Sequence, residues 1–221
     1  MTDIGILGGA RTAIGTFGGS LAGTTPIELG TIVAKAALER GNLDGSQIGH
    51  VAFGHVINTE PKDMYVSRVA AMNAGIPETT PAMNVNRLCG SGVQAIISVM
   101  QSLMLGDAEF GLAGGAENMS RSPYIISDQR WGAKMGDVRT LDMLLGALAL
   151  QSQQRAAAAI DAGFFESQIA PVPVKKRREM IDFTRDEHPK AATADGLATL
   201  RPVFQKDGSV TAGNASGLND G

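Results

Sequence analysis

The stretch NVNRLCGSGVQAII, residues 84–97, holds the single cysteine of a 221-residue chain. An extended run containing the β-branched Val85 leads into it, and Gly90, Ser91 and Gly92 precede an apolar run at helical spacing. A cysteine with a purely structural role packs inside an element as a small hydrophobe. Cys89 stands instead where a strand hands over to a helix, the point at which α/β sheets place their chemistry.

Working outward, the order of elements becomes regular. Upstream, DIGILGGA (residues 3–10) is a short apolar run closed by glycines and reads as a buried strand. Thr25, Pro26 and Glu28 form a capping box with proline at the first helical position, and the helix PIELGTIVAKAALER stops at Gly41. HVAFGHVI is the next strand, DMYVSRVAAMNAG a helix ending at Gly75, and PAMNVNRL is extended. Downstream, SGVQAIISVMQSLMLGD carries apolar residues around most of its circumference, so the sequence predicts a helix buried nearly all round. EFGLAGGAE is a further strand. The β-α-β-α-β-α-β alternation over residues 3–116 predicts a mostly parallel sheet with helices on both faces.

Beyond about Ser120 the pattern changes. A polar loop (MSRSPYIISDQRWGAKMGD), an alanine-rich helical stretch (RTLDMLLGALALQSQQRAAAAIDAG) and a charged, proline-containing segment without steady period follow. PVFQKDGSVTAGN reads as a hairpin turning at Asp207 and Gly208. The expected organisation is a first unit over residues 1–119, an elaboration over 120–205, and a return to the first unit over 206–221.

Composition bounds the function. A net charge of −3 gives no general attraction to nucleic acid or anionic membrane. The N-terminus lacks the basic and apolar regions of a signal peptide, and one cysteine excludes an internal disulfide. These features predict a cytoplasmic protein. No run of about eighteen uninterrupted apolar residues is present.

The chemistry centres on Cys89. Small residues let backbone approach a ligand, and first-turn amides with the helix dipole favour negative charge. Helix N-termini are among the settings that favour the thiolate, which is the nucleophile, and the same amides suit an oxyanion on an acylated thiol. Spacing alone also fits an inert thiol that happens to begin a helix.

The words around it decide further. VNRLCGSGVQAI closely resembles the acyl-enzyme signature of thiolases; RTAIGTFGGSLAG, AGGAENMSRSPY and TAGNASGLNDG match other thiolase segments in the same order. The wording is closest to the bacterial β-ketothiolases, and NRLCGSG and GGAENMS argue against a ketoacyl synthase. The resemblance implies a layered α/β fold of two similar βαβαβ halves, of which this chain is the N-terminal half with its inserted loop domain. It implies an acyl-CoA C-acyltransferase: Cys89 takes an acyl group from a CoA thioester and passes it to the enolate of acetyl-CoA, or, in reverse, cleaves 3-ketoacyl-CoA. Coenzyme A is then substrate, with no metal or other cofactor implied. Gly90, Ser91 and Gly92 are expected to support the loop and the oxyanion. Acetyl-CoA and acyl-CoA or 3-ketoacyl-CoA are the expected partners, with a homodimer or homotetramer for the full-length protein.

The chain departs from the family pattern in two places. The family's catalytic histidine, second cysteine and NEAF asparagine lie in a second half that follows the motif where this sequence ends. A segment of roughly thirty residues is missing after Leu148, long for an ordinary loop deletion. Leu148 matches a channel-lining leucine, Lys190 aligns with an arginine that contacts the CoA nucleotide, and Gly196 aligns with a nearby serine. Lysine lacks the guanidinium fork, so phosphate binding is expected to be less directional.

Other features carry less. The histidines at 50, 55 and 188 have no spacing that ties them to Cys89 and read as surface or hydrogen-bonded side chains, and they do not supply a metal site with a lone cysteine. Lys175, Lys176, Arg177 and Arg178 read as a solvated loop face. GILGGA lacks the GxGxxG spacing of a dinucleotide site. Glu117, Asn118 and Ser120 are expected to hold loops around Cys89. The sequence also allows a different class: a fragment that binds CoA or dimerises without turnover. A half-domain would expose a large apolar face, which predicts poor solubility.

Overall fold

The computed structural model describes residues 3–132, 135, 137–138, 140–143, 159–188 and 219–221. In chain order its elements are β1 (Gly15–Thr16), α1 (Pro26–Arg40), β2 (Ile48–Gly54), α2 (Val66–Asn73), β3 (Ala82–Val85), α3 (Ser91–Leu105) and β4 (Phe110–Gly115), then the short strands β5 (Tyr124–Ile125), β6 (Leu141–Asp142), β7 (Val172–Lys176), β8 (Glu179–Phe183) and β9 (Asn219–Asp220).

Helix α1 forms where local chemistry specifies it. The Thr25 hydroxyl accepts the Glu28 N–H at 3.2 Å, and the Glu28 carboxylate accepts the Thr25 N–H at 2.7 Å. Helix α3 ends at Gly106 in the left-handed conformation, φ 81°, where a side chain would be strained.

Strands β3, β2 and β4 make a parallel sheet in that order, with β2 in the middle. Alternation along β2 builds two layers. Val51 and Phe53 face α1 and α2, burying Ile27, Ala34, Leu38, Val66, Ala70 and Ala71. Ala52 faces the other way, onto Ala95 and Val99 of α3. Small residues on that side let α3 lie close: a Cβ on Gly54 would sit 2.7 Å from the carbonyl carbon of Ser91. The end of β2 therefore abuts the first turn of α3.

Four sequence expectations are corrected. Residues 3–10 form no strand, and Ile6 is 86% exposed. The run has strand composition, but no described segment pairs with it, and a strand needs a hydrogen-bonding neighbour. Helix α3 is not buried all round; only Ser91, Ala95 and Val99 are, while Val93, Ile96, Met104 and Leu105 face outward. Leu88–Leu105 is by length and composition apolar enough to cross a membrane, yet it is here the crossover between β3 and β4, packed on the sheet by one stripe. Leu141–Asp142 pairs with Tyr124–Ile125 rather than opening a helix. The charged segment after 170 is a regular hairpin: β7 and β8 pair antiparallel from Val172↔Phe183 to Lys176↔Glu179, with Arg177 at φ 59° in the turn. The alanine-rich stretch within 144–158 and the turn at Asp207 and Gly208 lie outside the described residues.

The hairpin packs back on the first unit. Val172, Val174 and Phe183 share a core with Ala13, Leu21, Leu29 and Ala116. Arg11 grips Asp186 through both guanidinium nitrogens, at 2.7 and 2.9 Å, and lies over the Phe165 ring.

Candidate active site

Between β3 and α3, residues 86–90 turn sharply and carry Cys89. The Asn86 carboxamide oxygen accepts the Leu88 N–H at 3.1 Å, a local turn typical of asparagine. Leu88 takes the left-handed conformation, φ 51°, and its side chain is 70% exposed. An ordinary residue held there costs on the order of 1–3 kcal/mol, so its surroundings must enforce it.

Ser91 does the enforcing. Its buried hydroxyl accepts the Arg87 N–H at 2.8 Å and donates to the Leu88 carbonyl at 2.6 Å. The Gly90 N–H donates to the Arg87 carbonyl and the Ser91 N–H to the Leu88 carbonyl. The turn is thus closed on itself, and Cys89 projects from it: it is exposed, and its thiol makes no hydrogen bond among the described residues.

This geometry refines the expected anion site. The N–H groups of Gly90 and Ser91 are already committed inside the turn. Those of Gly92 and Val93 have no partner among the described residues, as first-turn amides do, and a Cβ on Gly92 would meet nothing within 4 Å. At Gly92, one of the residues the sequence suggested, room and an unbonded N–H group coincide. Leu148, Lys190 and Gly196 lie outside the described residues.

Glu117, Asn118 and Ser120 tie together loops behind the turn. Asn118, fully buried, donates to the Leu21 and Thr24 carbonyls and accepts the Arg121 N–H. Ser120 bonds the Asp220 carboxylate through its N–H at 2.9 Å and its hydroxyl at 2.5 Å, while its hydroxyl oxygen accepts the Gly18 N–H. Glu117 accepts the Val56 and Ile57 N–H groups; burial pushes its carboxyl above the usual range, against the opposing pull of His55 and those two bonds. For Asp186, burial also pushes upward, but the Arg11 and Ile14 bonds and the Arg11 charge outweigh it and hold the carboxyl low.

His55 is not a surface side chain: it is 4% exposed, with Nδ1 2.7 Å from the Ala116 carbonyl. Asn84, which links the last turn before α2 to β3, and Leu88 were not singled out by sequence reasoning. The only signal for the turn was asparagine two residues before a side chain that is not β-branched.

A lone thiol raised on a braced turn, beyond the carboxyl ends of parallel strands and at the start of their crossover helix, defines an α/β protein whose candidate site is a strand–turn–helix junction. The thiolase N-terminal domain family matches residues 4–148 and 143–221. The chain belongs to the thiolase family, and its fold is the N-terminal part of the thiolase α/β fold. It is similar to Beta-ketothiolase BktB of Cupriavidus necator, with 49% identity over 99% of the chain and 64% of that protein. Mitochondrial 3-ketoacyl-CoA thiolase of Bos taurus is 38% identical over 98% of the chain and 62% of its own length. The crystal structure of human mitochondrial 3-ketoacyl-CoA thiolase superposes with a TM-score of 0.90 at 36% identity, covering 97% of this chain and 62% of that one. The chain therefore spans a little under two thirds of the relatives it matches. The BktB match runs over 250 positions against 221 residues, so at least 29 positions have no counterpart here; the two family segments meet and overlap at 143–148, beside Leu148.

Proposed function

We propose that this chain supplies the acyl-accepting half of an acyl-CoA C-acyltransferase, with Cys89 as the nucleophile. The observation that carries the reading is the exposed thiol of Cys89 on a turn that Ser91 braces, next to unbonded N–H groups at the start of α3. The Cys89 sulfur attacks the carbonyl carbon of an acyl-CoA thioester. The carbon's bond to the CoA sulfur breaks, CoA leaves as its thiol, and the acyl group stays on Cys89. The Gly92 and Val93 N–H groups face the oxygen that becomes negative on the way, the general device of an oxyanion site. Transfer to the enolate of acetyl-CoA completes a Claisen condensation; the reverse sequence is thiolysis of a 3-ketoacyl-CoA.

The names of the relatives support CoA thioesters as the substrate class, and the resemblance supports Leu148, Lys190 and Gly196 as contacts for CoA. The same resemblance supports a first unit over 1–119, a loop domain over 120–205, a return over 206–221, and a homodimer or homotetramer in the full-length protein; the single cysteine supports a cytoplasmic location.

A second reading is a half-domain that binds CoA or dimerises without turnover. It is favoured by the absence of any side chain bonded to the Cys89 thiol among the described residues. Intact mass before and after acetyl-CoA separates the two. A single acetyl adduct, lost in Cys89→Ser, is expected; no adduct on folded protein overturns the proposal and leaves the second reading.

A further inference from the structure

The loop of residues 55–63, joining β2 to the 3-10 turn before α2, is closed by charged side chains that the chemistry at Cys89 does not use. Asp63 and His55 are 0% and 4% exposed. The Asp63 Oδ2 accepts the Thr59 N–H at 2.7 Å, the Thr59 hydroxyl at 2.8 Å and the Glu60 N–H at 3.1 Å. Glu117 holds the other end of the loop through the Val56 and Ile57 N–H groups, at 2.9 and 3.0 Å. His55 lies between the two carboxylates, Nδ1 3.6 Å from Glu117 Oε1 and Nε2 4.0 Å from Asp63 Oδ2.

Hydrogen-bond accounting makes this cluster a proton site. The Ala116 carbonyl, 2.7 Å from Nδ1, can only accept, so Nδ1 carries a hydrogen. That leaves Nε2 buried and unbonded opposite a carboxylate whose Oδ1 is also unbonded. An unbonded ring nitrogen buried 4.0 Å from a carboxylate oxygen is unfavourable. One added proton on Nε2 converts the contact into an attraction, with a second carboxylate on the far side of the ring.

The cluster is coupled to the nucleophile turn at both ends. The Asp63 carbonyl accepts the Asn84 side-chain amide at 3.1 Å, and the Asn84 oxygen accepts the Ser67 N–H at 3.0 Å. The His55 N–H donates to the Val85 carbonyl at 3.1 Å. Asn84 and Val85 lead into the turn, while Gly54, next to His55, abuts Ser91 and Gly92 beyond it. The geometry points to His55 as a positioning residue for the Cys89 turn, with the protonation of the His55–Asp63–Glu117 cluster setting how tightly loop 55–63 holds that turn. The charged groups facing His55 are Asp63, before α2, and Glu117, after β4; farther out, Glu60 and Arg121 pair at 3.7 Å. The functional meaning of this inference rests on Cys89 being the reactive group.

Alkylation of the full chain by iodoacetamide tests it without any thioester, so its outcome is separate from that of the acetyl-transfer proposal. Cys89 is the only thiol, and intact mass follows it directly. The wild-type rate is expected to change with pH in two separate steps, the second roughly threefold or more. His55→Gln, which can still donate to the Ala116 carbonyl, is expected to keep the fold by circular dichroism and lose that step. Asp63→Asn removes one carboxylate from beside the ring and is expected to shrink or abolish the step; it carries the test if His55→Gln does not fold. A single-step wild-type curve, superimposable curves for wild type and His55→Gln, or a uniform slowing at every pH would overturn the inference.

Discussion

Replacing Ser91 with alanine removes the brace from the Cys89 turn while leaving the thiol in place. Two hydrogen bonds are lost, to the Arg87 N–H at 2.8 Å and the Leu88 carbonyl at 2.6 Å. At about 0.5–1.5 kcal/mol each, they stabilise the fold by roughly 1–3 kcal/mol. The Leu88 carbonyl keeps the Ser91 N–H, and Arg87 is exposed, which favours the lower part of that range. Alanine is also the better helix former, returning about half a kcal/mol. The net expectation is a loss of roughly 1–2 kcal/mol, a fall in Tm on the order of 2–8 °C for a chain of this size. Leu88 should then leave its left-handed conformation, so the iodoacetamide rate at Cys89 should change along with the melting temperature. Thermal melts and intact-mass kinetics on the same samples are the assay. An unchanged Tm together with a wild-type alkylation rate would refute the claim that Ser91 holds the turn.

Other perturbations have distinct signatures. Gly54→Ala places a methyl 2.7–2.9 Å from Ser91 and Gly92 atoms, most of them backbone, so it should displace the start of α3 and change Cys89 alkylation, whereas Gly92→Ala, with nothing within 4 Å, should leave the Tm near wild type. Equal Tm losses in the two variants would contradict this. Because the Asp186 carboxyl is held below its unfolded value of 3.8, its contribution is present above that pH and is lost as pH falls through the folded value; Asp186→Asn should flatten that part of a Tm-against-pH curve. Glu117, held above 4.5, has the opposite sign: its ionisation weakens the fold as pH rises from 4.5 through its folded value, and Glu117→Gln should remove that decline. Finally, Val93, Ile96, Met104 and Leu105 on the outer face of α3 should drive self-association of the isolated chain, read as concentration-dependent sedimentation; a dilute and concentrated sample that both sediment as monomer would refute it.

Legibility followed the range of the interactions. The capping box of Thr25 and Glu28 and the stop at Gly41 are local, and the sequence displays them. Residues 3–10 show the reverse case: the composition suits a strand, but pairing is decided by a distant neighbour that no local window contains. The face of α3 has the same cause, since an apolar circumference states what a helix can bury and not what is there to cover it. The hairpin of β7 and β8 went unread because its turn uses Arg177 in the left-handed region rather than glycine or asparagine. At the site, the place of Cys89 and its small neighbours between strand and helix was legible, while its chemistry was suggested by the resemblance, since spacing alone also fits an inert thiol. The committed N–H groups of Gly90 and Ser91 were not, because they depend on the conformation of Leu88. His55 was underrated for want of spacing to Cys89; its partners come from residues 63, 116 and 117, brought together only by the sheet.

The pairing of Glu117 with Gly221 has a consequence for how this chain can vary. Their backbones bond in both directions, at 3.1 and 3.0 Å, and β9 pairs with β1 beside them. The backbone that leaves the sheet at Glu117 is thus bonded side by side with Gly221, while the β7–β8 hairpin packs on the first unit separately. Closing the loop between 117 and 221 depends only logarithmically on its length, about 0.6 kcal/mol per doubling, so gaining or losing a quarter of it changes closure by a few tenths of a kcal/mol. By that measure the positions missing relative to the β-ketothiolase change the closure of the loop little, and what holds the platform for Cys89 is the pairing at Glu117 and Gly221 together with the core that the hairpin shares.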